Sequence, residues 1–188
     1  MKSHALCSRR PPRCGGATLV ESMIVVVLLV LGATAVAPTF ATWRMRDQVD
    51  ARARALLGTL SYARSEAIRR HARITVCRID AQRNCLPSGA ACPSGYLDWS
   101  CGWAVMVGAD GAWRPLRIQS ALDVVGVASP LTSIAFTPPA GQTIGTLRNF
   151  EIAPRAATAA MGDARWRRCI RIAAGGRARI SDGACGDS

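Results

Sequence analysis

Residues 17–40 make one apolar run in which Glu21 is the only charge; the flanking charges are Arg13 before it and Arg44 after it. As an α-helix, 24 residues reach about 36 Å, enough to cross a bilayer core of about 30 Å with some tilt. A charged side chain at the centre of such a helix costs roughly 2.5–3.5 kcal/mol. Glu21 therefore requires a partner, or it snorkels from near the helix end to the headgroups.

Three readings compete for residues 1–40. A secretory signal has a basic start, a short apolar core and a small-residue cleavage site, and Ala35-Val36-Ala37 offers such a site. Pro38 follows that site at once, however, and Glu21 interrupts the start of an overlong core. A plain membrane anchor is the second reading. Lys2, Arg9, Arg10 and Arg13 would then hold the N-terminus in the cytoplasm and send the rest outward. The third reading is a leader, residues 1–16, removed before the apolar run so that the helix stays on the protein.

Behind a 16-residue leader and the apolar helix, about 150 residues remain, which suits one globular domain. The whole chain carries +12, and with the leader's four cations removed the remainder still carries +8. That balance points to a polyanionic partner or an anionic membrane surface. Cys7 and Cys14 fall in the leader. Cys77, Cys85, Cys92, Cys101, Cys169 and Cys185 remain, and six cysteines behind an export signal imply three disulfides. Fifteen connectivities are open; pairs near in sequence are favoured, with Cys169 and Cys185 closing a loop of about 15 residues worth roughly 3 kcal/mol.

Helical periodicity continues past the apolar run. Val49, Ala53, Leu56, Leu60, Ala63, Ala67 and Ile68 recur at spacings of three and four, opposite Arg46, Asp50, Arg54, Arg64 and Arg69. One helix is expected over residues 17–71. Strands are expected at 74–77, 102–107, 113–119, 122–127, 131–136, 145–152, 168–173 and 177–181, with a cysteine-rich loop over 80–101. Turns are expected at 109–111, 138–141 and 175–176, and a loose loop at 156–163. A long helix followed by short strands predicts an α+β fold with an antiparallel sheet. Tyr62 and Leu57 read as core or subunit contacts, and Trp99, Trp103 and Trp113 as sheet core.

The start of the chain resembles a type IV prepilin. Gly16 stands at the residue before the cut, Ala17 becomes the first mature residue, Glu21 the fifth, and Pro38 matches the proline that kinks many pilin helices. Ala17 departs from the usual Phe. Further along, Tyr62-Ala63-Arg64-Ser65-Glu66-Ala67-Ile68-Arg69-Arg70 resembles the helix end of the GspH/FimT class of minor pilins and pseudopilins. The strand with Cys77, Trp99 with Gly102-Trp103, and Ile134-Ala135-Phe136 before Pro and Gly are similar too. Cys169-Ile170-Arg171-Ile172, Gly176-Arg177-Ala178-Arg179 and Cys185 complete the resemblance. It implies a leader at 1–16 cut by the prepilin peptidase, a transmembrane and assembly helix at 17–40, and an amphipathic continuation at 41–73. A disulfide-stapled β domain would follow at 74–188, ending in a basic hairpin. It also implies a methylated Ala17 amine and a periplasmic domain on a single-pass inner-membrane helix. Incorporation into a fibre with other major and minor pilins or pseudopilins follows from it, with Glu21 neutralised by a neighbour's terminal amine.

The sharpest functional candidate is C-terminal. Arg165, Arg167, Arg168, Arg171, Arg177 and Arg179 occur with no acid between the first and the last. In FimT-like pilins of naturally competent bacteria a Gly-Arg-x-Arg motif is implicated in DNA binding, and here the resemblance places it on Gly176, Arg177 and Arg179. Two strand residues two apart share a face, and guanidinium forks grip phosphate bidentately. Binding to double-stranded DNA would be independent of sequence and sensitive to salt. The alternatives are an outer face merely solvated by arginine, a type II secretion pseudopilin without DNA affinity, and an anchored periplasmic binding domain that never assembles. Catalysis is not expected: His71 is the only histidine after the leader and sits at a helix end, and no C-x₂-C pair suggests zinc. The acid pairs Asp98 with Asp110 and Glu66 with Glu151 have nothing in the sequence to bring them together. No cofactor or metal is expected.

Overall fold

A computed structural model describes residues 18–108, 113–143, 148–155 and 164–186. The chain divides into two compact units, Met1–Thr42 and Trp43–Ser188. Gly16 and Ala17 lie outside the described residues, as do the expected turn at 109–111 and the loop at 156–163.

Helix α1 runs Leu19–Arg70. Thr18 caps its start, its hydroxyl accepting the Glu21 backbone N–H at 3.2 Å. Thr18 and Glu21 thus hold the spacing of a capping box, in which a threonine serves the N–H three residues on. The apolar side chains from Leu19 to Leu31 are all uncovered, from 49% exposed at Val25 to 77% at Leu19. No single helix among the described residues is long and apolar enough to cross a membrane. The pieces Leu19–Thr34 and Thr39–Arg70, taken as a pair, meet that requirement by length and composition. Pro38 falls between the two pieces, and its side-chain surroundings lie outside the described residues.

In the second unit the expected stripe is buried: Val49, Ala53, Leu56, Leu60, Ala63 and Ala67 are at most 1% exposed. Ile68 stands half out of it. The stripe is wider than its apolar members, because Arg52, Thr59 and Glu66 are buried beside them. The helix ends where His71 turns into the left-handed region, φ 50°, and donates its N–H to the Ile68 carbonyl. That is the usual way to terminate a helix, here without glycine.

Among the described residues nine strands follow: β1 Ile74–Arg78, β2 Trp103–Val107, β3 Arg114–Gln119, β4 Val125–Ala128, β5 Ser133–Thr137, β6 Gln142–Thr143, β7 Asn149–Pro154, β8 Arg168–Ile172 and β9 Ala178–Asp182. They make two antiparallel sheets, ordered β3-β2-β1-β5-β6 and β4-β7-β8-β9. The two-residue β6 is the strand that periodicity gave no sign of, being too short to show alternation.

One core joins the helix stripe to both sheets through Ile74, Val76, Trp103, Val105, Ile134 and Phe136 on one and Val125, Val127, Phe150, Ile152, Ile170 and Ile172 on the other. Trp99 sits where the sheets meet. Its indole N–H reaches the Leu131 carbonyl at 2.7 Å, and its ring stands edge-on to Phe150, centroids 4.9 Å apart. The Trp103 indole donates to the Thr59 hydroxyl, and the Arg52 guanidinium lies 4.0 Å over the ring. Burial pushes the Arg52 pKa down to about 10, opposed by Asp98 and Asp123. Trp113 differs from expectation: it precedes β3, an edge strand, and is 40% exposed.

Each disulfide joins neighbours in sequence, Cys77 to Cys85, Cys92 to Cys101 and Cys169 to Cys185. The first two staple the loop between β1 and β2. Arg78 holds the same loop from beneath, donating to the Ala90 and Asp98 carbonyls; its burial lowers its pKa.

Candidate functional site

The register of β8 with β9 decides which arginines stand together. Ile170 and Ile172 point into the core, and their partners Ile180 and Ala178 lie on that side. Arg171 and Arg179 are paired directly across the ladder on the opposite face. Like charges so placed repel, and no acid opposes them on β8 or β9 at that level. Arg171 is steadied by donating to the Cys185 carbonyl at 2.6 Å. Cys185 is in turn fixed by its bond to Cys169, the outward neighbour of Arg171, and by its N–H to Glu151. The third disulfide thus fastens the C-terminal tail over the arginine face.

The six C-terminal arginines separate by role. Arg168 is buried, its Nε 2.6 Å from Asp50 on α1 and 3.2 Å from Asp182 on β9. It also donates to the Arg165 and Arg167 carbonyls. Arg167 pairs with Glu151 at 2.7 Å. Arg165 lies exposed on a 3-10 turn, Ala164–Trp166. Arg177 and Arg179 are exposed, and among the described residues neither guanidinium has an ion-pair or hydrogen-bond partner.

β9 is the outer strand of its sheet, so long side chains on it reach around the edge. Two clefts flank it, and Arg177 and Arg179 line both. On the sheet side a cleft of about 610 Å³ adds Arg171, Ile172, Ala173, Ile180 and Ser181. On the helix side one of about 370 Å³ adds Ser61, Arg64, Ser65, Ile68, Gly176 and Ala178. Neither lining contains an acid.

Gly176 has a structural duty here. Its φ is +77°, and a Cβ on it would lie 1.9 Å from the Gly141 carbonyl oxygen and 3.2 Å from Arg64 Cδ. Gly141, at φ +66°, would place a Cβ 2.6 Å from Arg64 Cγ. The hairpin turn, the loop after β5 and the Arg64 stem are therefore in close contact. Sequence reasoning placed Arg64 on the solvated face of the helix. No local pattern signals that two distant glycines seat it beside Arg177 and Arg179.

Each of the posed acids that is described has partners of its own. Asp98 binds Arg155 at 2.6 Å and the Ser100 hydroxyl, while Asp110 lies outside the described residues. Glu66 is held by Arg69 and Arg70, and Glu151 by Arg167 and the Cys185 N–H.

Comparisons with known proteins bear on the family and the fold. The family described as Type II transport protein GspH matches residues 52–176, about two thirds of the sequence. The chain belongs to that family, the GspH/FimT type of minor pilins and pseudopilins. Two crystal forms of the Pseudomonas aeruginosa type IV minor pilin FimU superpose on it with TM-scores of 0.52 and 0.54, at 23% and 22% identity. They cover 70% and 72% of this chain and 91% and 90% of that one. At such identity the likeness speaks for the fold: a long N-terminal helix on an antiparallel β domain. No curated protein matches the sequence.

Proposed function

We propose that this minor pilin or pseudopilin is cut after Gly16, assembles through its apolar helix into a type IV pilus, and captures double-stranded DNA with its C-terminal hairpin. The observation that carries the DNA reading is the placement of Arg177 and Arg179. Both are exposed, Arg179 on the edge strand β9 and Arg177 just before it, lack partners among the described residues, and line two clefts without acids. Arg171, opposite Arg179, extends the same face. Arg167 and Arg168 serve as struts, since Glu151 and Asp50 already engage them. Guanidinium forks on an open edge read phosphate and not base identity.

Replacing Arg177→Ala together with Arg179→Ala weakens DNA retention uniformly across sequences. It also lowers the slope of log affinity against log salt by about 1.8, at about 0.9 per lost phosphate contact. Unchanged retention removes this role.

The family's description as a type II transport protein favours a second reading, a secretion pseudopilin acting through assembly alone. Under it the double variant is silent on DNA and the full chain complements loss of a secretion pseudopilin.

A further inference from the structure

We infer that Arg64 is the third arm of the arginine site, making its helix side a cleft that takes backbone phosphate between α1 and the C-terminal hairpin. The inference rests on the DNA reading above and adds a residue from a distant part of the chain, and with it a second wall.

The Arg64 stem lies against Gly141 and Gly176, both of which exclude any side chain there. Its Nη2 donates to the Ala140 carbonyl at 3.3 Å. That bond uses one donor of five. Its Nε is buried and has no partner, a costly state for an N–H donor. Arg64 lines its cleft together with Arg177 and Arg179. Glu66 is the nearest acid in sequence, and Arg69 and Arg70 already neutralise it. Three arginines thus line one cleft of about 370 Å³ whose lining holds no acid, and an oxyanion entering it would offset their repulsion. Ser61 and Ser65 line the same space. The Ser65 hydroxyl donates to the Ser61 carbonyl, leaving its oxygen as an acceptor, while the Ser61 hydroxyl is available as a donor. Ile68 and Ala178 close the floor with apolar surface. This donor set suits a phosphate oxyanion, either a phosphodiester of a nucleic acid or free phosphate.

The test uses the full chain in detergent and compares DNA retention over a range of salt for wild type, Arg64→Gln, Arg64→Lys and Arg54→Gln. Arg54 is exposed on the same helix and lines neither of the two clefts beside β9, so its variant controls for net charge alone. Arg64→Gln lowers the salt slope by about 0.9 and weakens binding at every sequence, Arg64→Lys keeps the slope, and Arg54→Gln leaves it unchanged. An Arg64→Gln protein that behaves like Arg54→Gln overturns the inference. A second measurement needs no variant: pyrophosphate is titrated into ¹⁵N-arginine-labelled wild type and the Arg64 Nε–Hε resonance is followed. Its displacement with saturation supports the cleft; its constancy overturns it. Where wild type ignores DNA yet pyrophosphate moves Arg64, the DNA reading fails and the phosphate cleft stands, with free phosphate as its ligand.

Discussion

Arg168 and Arg177 carry the same head group and have opposite surroundings. Arg168 is enclosed, and two carboxylates and two carbonyls take its donors, so it ties α1 to the last two strands. Arg177 is left in water with its donors uncommitted, the state a phosphate binder needs. Glu66 shows the same logic in an acid. Hydrogen bonds from Arg69 and then Arg70 hold its carboxyl down to about 2, below the ordinary value of about 4.3. A lowered folded-state pKa contributes stability that is complete above the unfolded value and is withdrawn as pH falls through the folded one. Thermal unfolding followed by circular dichroism therefore drops between about pH 5 and pH 2, and Glu66→Gln removes that part of the drop. An identical pH profile in the variant would show that the arginine pair does nothing for the helix end.

The C-terminal hairpin is held by contacts that its own sequence does not contain. Gly176 reads as half of a Gly-Gly turn, and it is one, but its hydrogen atom is also all that fits against Gly141. Gly176→Ala meets both a left-handed backbone and a 1.9 Å clash, for a loss of roughly 1–3 kcal/mol. Gly175→Ala, with open space around it, changes stability by less. Urea denaturation of the two variants checks this, and equal midpoints would mean the turn is not seated on α1 as described. The hairpin's strands were legible because Ile170-Arg171-Ile172 alternates and a Gly-Gly turn follows. Its cleft was not, because Arg64 precedes Gly176 by more than a hundred residues and nothing local marks the contact. The buried Arg52 was equally hidden: an arginine in a helix reads as solvated until an indole ring is found beneath it.

Among the described residues every core residue lies from Val49 onward, while the apolar side chains from Leu19 to Leu31 stand uncovered. Fold and assembly are thereby separable. Uncovered apolar surface on this scale marks a site for lipid or for another chain. Among the described residues Glu21 makes no contact beyond the cap from its own backbone N–H to Thr18. Glu21→Ala therefore leaves the unfolding temperature of the β domain unchanged and abolishes incorporation into fibres, scored by immunoblot of sheared filaments. Normal incorporation would mean that the carboxylate only snorkels.

What could be read before any coordinates were known was whatever rests on short-range repetition: the apolar run with its one acid, the 3.6-residue stripe, the alternating strands, and three disulfides' worth of cysteines. These depend on neighbours within a turn or two of chain. The division of the strands into two sheets, the burial of Arg52 and Arg168, and the meeting of Arg64 with Arg177 and Arg179 depend on which distant surfaces close against each other. Packing and charge pairing across the core settle those, and an arginine carries no local sign of which side of that closure it will fall on.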